Sequence, residues 1–376
     1  MVDRWVRCVH RSCPLMLPVA NDSRLLCRLP ASPSPEAGSA VTVSIRTIEV
    51  HAEGEPGRVV LDAQQWVEGD TIEERFAFCR DNLDHLRHLL LHEPRGYPAT
   101  CAVFVLPPTD PAADAGIIVL EQGGFTPMSG SNTMCAVTGM LDAGVIEMVE
   151  PVTTVTLETA VGLVTAQARC ENGRVVDVTV RNVPAFVVAL DHPLDVPGLG
   201  SIPVDVVFGG QFFVQVRAEV LGVDLDPKNA RELLDLGTRI KAAALEGISV
   251  RHPLNPDIDA VGLVMIYADP LAPGGPGYNT VILPGALDRS PCGTGTCGRM
   301  AARVARGQLE VGGPFEHRSI LGTRFIGEVL GTIDIAGTEA ILPAITGRTF
   351  ITGRAEWVLD PDDPFPTGYT LGDFWP

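Results

Sequence analysis

Between residues 43 and 50 apolar and polar side chains alternate, the period-2 pattern of a half-buried strand. From 71 to 92 the apolar positions recur at helical spacing, and Pro94 predicts the stop. Short apolar runs at 101–106 and 117–121 predict strands, followed by a helix that starts after Ser129 and reaches about residue 141. Residues 152–183 hold three strand-like runs broken at 160–162 and 171–173, the layout of an antiparallel meander. The plan then repeats. Short strands around 204–216 precede a helix over about 228–245, strands at 261–267 and 280–283, a helix after Cys292, and further strands from Arg318. Strands, rather than βαβ units, dominate the first half.

One local match supports a duplicated plan. Ser129-Gly130-Ser131-Asn132-Thr133 echoes Cys292-Gly293-Thr294-Gly295-Thr296, and each run follows a polar loop containing proline and opens a helix. A helix N-terminus offers amides without an intrahelical partner and the positive end of the macrodipole, so it suits a carboxylate. Glycine at 130 and 293 lets a ligand approach those amides, and Ser131 and Thr294 add hydroxyl donors. Cys292, at the second junction, is expected to have its thiol pKa lowered by the helix end and to serve as base or nucleophile. Ser129, its counterpart, is a poor base unless another group activates it. An ordinary N-cap would account for Ser129 alone. It accounts less well for Cys292, since cysteine is not a preferred cap and the preceding Asp288-Arg289-Ser290-Pro291 is crowded with polar groups.

A chain of 376 residues suits two domains of ordinary size. The formal net charge of -18 argues against a nucleic-acid partner, which demands clustered Lys and Arg. The nine cysteines are odd in number and contain no C-x-x-C pair, so neither a disulfide framework nor a zinc ribbon is indicated. Cys8, Cys13 and His10 could begin a metal site, yet no second half follows. No apolar run approaches the ~18 residues of a membrane span, and the first 40 residues lack a signal-peptide core, so the expected compartment is the cytoplasm. Residues 1–40, with five arginines, three cysteines and a Pro/Ser/Ala run, read as a loosely ordered extension, with an Arg-rich targeting peptide as the alternative.

The run Asp288-Arg289-Ser290-Pro291-Cys292-Gly293-Thr294-Gly295-Thr296 closely resembles the second catalytic motif of the proline racemase superfamily, and Met128-Ser129-Gly130-Ser131-Asn132-Thr133 resembles the first. His51-Ala52-Glu53-Gly54-Glu55 is similar to the family's N-terminal signature, and Gly209-Gly210-Gln211-Phe212-Phe213 and His252-Pro253 stand where the family has similar segments. The resemblance covers roughly residues 45–376. It implies an α+β, two-domain fold like that of diaminopimelate epimerase, each half a mixed, largely antiparallel sheet wrapped around a central helix, the halves related by a pseudo-twofold axis. The expected boundaries are 41–199, joined by 345–376, for the first domain and 200–344 for the second.

The same resemblance implies a proline-like substrate held between the halves, with its carboxylate on the amides of Gly130, Ser131, Gly293 and Thr294 and its ammonium at Asp288. Ser129 and Cys292 would flank Cα as catalytic residues, with no cofactor and no metal. Dimerisation is left open. Two departures from the racemase pattern matter: Ser129 stands where the first catalytic cysteine is usual, and Ser131 where a histidine is. A two-base racemase needs a competent proton carrier on each face. Elimination from trans-3-hydroxy-L-proline needs one face only, so the Ser129/Cys292 pair points first to a trans-3-hydroxy-L-proline dehydratase. The alternatives are a 4-hydroxyproline 2-epimerase, a proline racemase or a bifunctional enzyme, and further off a binding protein that has lost catalysis. His51 and Glu53 are expected to be structural.

Overall fold

The computed structural model describes residues 43–372 apart from Asp257 and Pro273. The expected extension at residues 1–40, with the Cys8/Cys13/His10 grouping, lies outside the described residues. The chain begins with the hairpin β1 (Val43–Ala52) and β2 (Glu55–Val60) and the helices α1 (Ile72–Asn82) and α2 (Asp84–Leu91). Strands β3 (Ala102–Leu106), β4 (Ala115–Glu121) and β5 (Gly124–Thr126) lead into the central helix α3 (Gly130–Asp142). The meander β6 (Val152–Thr159), β7 (Gly162–Glu171) and β8 (Arg174–Arg181) is antiparallel, as its pattern predicts. Strand β9 (Ala185–Val196) then pairs with β10 (Gly200–Phe208), which turns into β11 (Phe212–Arg217).

After a short helix α4 (Ala218–Leu221) come α5 (Ala230–Gly247), β12 (Val261–Ala268), β13 (Gly277–Leu283) and β14 (Ala286–Leu287). The second central helix, α6 (Gly293–Ala305), is followed by β15 (Pro314–Ser319), β16 (Arg324–Ile335) and the long β17 (Thr338–Leu359).

The order of pairings occurs twice. Strands β2 and β3 pair in parallel, β3–β4 and β4–β5 antiparallel, and β4 runs parallel to β6 across α3. Strands β11 and β12 likewise pair in parallel, β12–β13 and β13–β14 antiparallel, and β13 runs parallel to β15 across α6. Each central helix is therefore delivered by the same strand, short return strand and turn. That repetition explains why the echo between residues 129–133 and 292–296 sits at equivalent places. The sheet is mixed, and α3 is packed against β1, β2, β8 and β17 while α6 is packed against β9, β10, β16 and β17. Burial is nearly complete: α3 is buried from Gly130 to Leu141 and α6 from Gly293 to Ala302.

Strand β17 belongs to both groups. It pairs successively with β16, β9, β8 and β1, and its Ile345 lies directly under the starts of both central helices.

The single helix expected over 71–92 is two. Thr71 caps α1 by accepting from the Glu74 amide at 3.2 Å, with Glu73 and Glu74 favourably placed in its first turn. At Leu83 the backbone leaves the helical region (φ -111°, ψ 16°) and a new turn starts. Leu83, Leu86 and Leu90 are buried in one cluster with Cys79, so the break re-aims the second amphipathic segment onto the same layer. Among the described residues no helix is long and apolar enough to cross a membrane.

Candidate active site

The two central helices meet end to end. A methyl group built on Gly130 would lie 3.0 Å from the Gly293 Cα, and one built on Gly293 would lie 2.8 Å from the Gly130 Cα. Ile345 Cδ1 closes the floor at 2.9 and 2.7 Å from the same two points. Contact this close leaves no room for any side chain, so glycine at both positions lets the helix starts abut. The first intrahelical bonds are those of the Thr133 amide to Ser129 and the Thr296 amide to Cys292, each 2.9 Å. The amides of Gly130, Ser131, Gly293 and Thr294 precede them, at the positive ends of both helices.

These ends open on one narrow cavity. Ser129, Ser131, Asp288, Cys292, Gly293 and Thr294 all line it, so the structure brings together the residues expected from the sequence, with Gly130 at its base. Glu55, Cys101, Glu121, Asn132, Gln211, Leu263 and Leu283 line it too.

Cys292 caps α6 in an uncommon conformation. Its φ of 60° and ψ of 111° lie in a region L-residues rarely occupy, a strain of about 1–3 kcal/mol that surrounding bonds must hold. Those bonds come from the preceding turn. The Ser290 hydroxyl and amide donate to Asp288 Oδ1 at 2.9 and 2.7 Å, and Ser290 Oγ accepts from the Cys292 amide at 3.0 Å. Thr296 Oγ1 donates to the Pro291 carbonyl at 3.0 Å. The result fixes the sulfur over the helix end, where it accepts from the Gly295 amide at 3.4 Å with Thr294 Oγ1 at 3.8 Å.

The expected lowering of the Cys292 pKa is reversed. Burial pushes the thiol well above its ordinary value and the Asp288 carboxylate adds to the rise, outweighing the Gly295 amide and the Thr294 hydroxyl. A helix end alone is too weak against desolvation beside a carboxylate.

Asp288 and Glu55 form a buried carboxyl pair. Both have raised pKa values, through burial first, and the Asp288 charge adds to the rise at Glu55. Glu55 also accepts from the Arg289 amide at 2.7 Å and from the Cys101 thiol at 3.7 Å. Across the cavity, burial raises the Glu121 carboxyl to about 7. Thr126 Oγ1 donates to Glu121 Oε2 at 3.0 Å, and Ser129 lines the same narrow cavity as this carboxyl. Asn132 Nδ2 donates to Ser129 Oγ at 3.1 Å. The cavity wall is thus rich in carboxyl groups, while its floor carries two positive helix ends: a complement to an ion with a carboxylate and an ammonium.

The rest of the N-terminal signature faces elsewhere. Glu53, buried and at φ 47°, accepts from the Arg348 amide and Nε at 3.1 and 3.0 Å and braces the β1–β2 turn against β17. His51 stacks on Phe350 with ring centroids 5.1 Å apart, and His252 packs on Phe208 at 4.7 Å. Glu121 carried a legible signal that the sequence reading passed over. It is an acid closing a strand whose other members, from Ala115 to Leu120, are all buried. Glu55 stood inside the quoted signature without a role.

Comparison with known proteins agrees with this geometry. The chain is 39% identical over 324 residues to a 4-hydroxyproline 2-epimerase of Streptosporangium roseum, covering 86% of this chain and 97% of that protein. The crystal structure of a hydroxyproline epimerase from Agrobacterium vitis with bound trans-4-hydroxy-L-proline superposes with a TM-score of 0.84 at 38% identity, over 88% of this chain and 96% of that one. A PhzF-family phenazine biosynthesis protein from Bacillus anthracis, 14% identical, shares the fold with a TM-score of 0.54 over 84% of this chain and 99% of that one. The family model described as proline racemase matches residues 47–370, and the chain belongs to the proline racemase family.

Proposed function

We propose that this protein is a 4-hydroxyproline 2-epimerase that inverts Cα without a cofactor. The observation that carries the reading is the abutment of two helix N-termini, one headed by Ser129 and the other by Cys292, over a single acid-lined cavity. The names of the relatives, a 4-hydroxyproline 2-epimerase and a hydroxyproline epimerase, support the same substrate class.

The substrate carboxylate sits on the amides of Gly130, Ser131, Gly293 and Thr294. There the oriented dipoles stabilise the charge that builds on its oxygens when the α-proton leaves, an effect of about 2.7–4 kcal/mol per well-placed donor. The ring ammonium meets Asp288. Its arrival offsets the Asp288 charge that, after burial, raises the Cys292 thiol, so the substrate lowers the pKa of the group that attacks it. Cys292 then exchanges a proton with one face of Cα and Ser129 with the other.

Dehydration of trans-3-hydroxy-L-proline is the second reading. It is favoured by the unlike caps, a thiol at 292 opposite a hydroxyl at 129, since one thiolate suffices to take the α-proton and protonate a 3-hydroxyl on the same ring face. Chiral chromatography of proline, trans-4-hydroxy-L-proline and trans-3-hydroxy-L-proline after incubation with the enzyme separates the two. The epimerase reading expects cis-4-hydroxy-D-proline as the main product. Pyrroline-2-carboxylate formed from the 3-isomer, with no inversion of the 4-isomer, would replace it by the dehydratase.

A further inference from the structure

We propose that Glu121 is the proton store behind Ser129, so that the serine face of the site works as a hydroxyl–carboxyl relay matched to the Cys292 thiol on the opposite face. This rests on the epimerase reading and supplies what that reading lacks, since a lone serine hydroxyl neither takes nor gives a proton readily near neutral pH.

Two contacts and a shared cavity set the direction. Asn132 Nδ2 donates to Ser129 Oγ at 3.1 Å, which uses a lone pair, and Ser131 Oγ stands farther off at 3.5 Å. The Glu121 carboxyl, on the wall of the same narrow cavity, is the acceptor the relay assigns to the serine proton. Thr126 Oγ1 fixes its Oε2 at 3.0 Å, and Ser129, Glu121 and Cys292 line the same cavity.

The transfer balances. In one direction Cys292 thiolate takes the α-proton, forming S–H as Cα–H breaks. On the far face Ser129 gives its proton to Cα and regains one from the Glu121 carboxylic acid. The enzyme then holds a thiol and a Glu121 carboxylate, the form that accepts the opposite enantiomer.

The charged groups around Glu121 suit this exchange. Asp288 raises its pKa beyond the effect of burial, Lys241 on α5 lowers it, and the ionised carboxyl in turn holds up the thiols of Cys101 and Cys292. Arg87 bonds only its main-chain carbonyl, at 3.1 Å. With Glu121 at about 7, the ionised and protonated forms are both accessible near neutral pH.

The active free enzyme carries one proton between Glu121 and Cys292. The doubly protonated form is inactive, so kcat/KM for inversion rises with pH through the Glu121 pKa in both reaction directions. We expect wild type to show an acid limb near pH 7. Glu121→Gln should lose that limb, replacing it by a rise at the higher pH where Cys292 ionises, and should lower inversion about 10²-fold, the scale of a general acid–base contribution. α-Proton exchange without inversion, carried by Cys292, should persist in deuterated water. Glu121→Asp should restore the limb.

A Glu121→Gln enzyme that inverts within about threefold of wild type, with the acid limb unmoved, would overturn the relay, because a general acid–base group is worth far more. Equal loss of exchange and inversion would also overturn it and make Glu121 merely structural. Wild type that inverts no hydroxyproline would remove the epimerase reading and the relay with it, an outcome distinct from either. Should Glu121→Gln not fold, Ser129→Ala is decisive: the relay predicts loss of the same limb with one-face exchange retained, and an unmoved limb contradicts it.

Discussion

At the scale of single residues the site trades stability for binding, and its charges say which way. Glu55 and Asp288 are both raised in the folded protein, mainly by burial, so the folded state binds more protons than the unfolded chain. Stability contributed by that proton is present at low pH and falls as pH rises from the unfolded carboxyl range toward the folded values. Replacing Glu55 by Gln removes its share of that titration. The variant should melt higher than wild type at pH 8 without ligand, yet bind substrate more weakly, because the ammonium then faces one carboxyl in place of two. Thermal denaturation at pH 5 and pH 8 with the KM of both proteins checks this, and a lower midpoint for the variant at pH 8 would contradict it. For Cys292 the expectation is simpler. Cys292→Ser should lower turnover by about 10²-fold or more while leaving the fold intact, and a variant retaining a tenth of the activity would remove Cys292 from its assigned role.

The residue scale is also where the sequence spoke least clearly. The glycine, serine and cysteine of the two junctions were legible because helix starts have local chemistry that spacing reveals. The direction of the Cys292 shift was not, since it depends on Asp288 and on burial by strands far away in the chain. Glu55 and Glu121 escaped for the same reason. Their roles arise from being 66 residues apart in sequence and facing one cavity in space.

Among the elements, the central helices depend on an unusual closeness. With Gly130 and Gly293 facing each other over Ile345, even one methyl group must push a helix end away or distort β17. Gly130→Ala and Gly293→Ala should each cost about 1–3 kcal/mol, the range for overpacking, and should weaken substrate binding more than a surface mutation of equal cost because they displace the amides proposed to hold the substrate carboxylate. Calorimetry together with the KM of each variant measures both effects. An alanine tolerated at either position with unchanged stability would show that the helix ends do not touch as described. Most elements followed from periodicity: the β6–β8 meander and both central helices lie where the pattern put them. The break at Leu83 did not follow, because periodicity continues across it and only packing onto a shared apolar layer decides the turn.

In the molecule as a whole, the repeated order of pairings around α3 and α6 turns a duplicated plan into an asymmetric pair of caps. One side keeps Cys292 in a strained backbone held by Asp288 and Ser290, and the other keeps Ser129 in an ordinary extended conformation, with Glu121 on the wall of the same cavity. The division into domains at 41–199 with 345–376 and at 200–344 stands as a proposal beside this, with β17 running through both groups of strands. In the proposed epimerase the two caps act on opposite faces of one Cα. Incubating wild type with trans-4-hydroxy-L-proline in deuterated water, and reading α-deuterium by proton NMR at low conversion, tests this directly. Two opposed caps predict that the cis-4-hydroxy-D-proline formed carries deuterium at Cα from its first appearance, while recovered substrate, labelled only by return from Cys292, carries far less. Deuterium appearing equally in both pools would mean a single base serving both faces, and would contradict it.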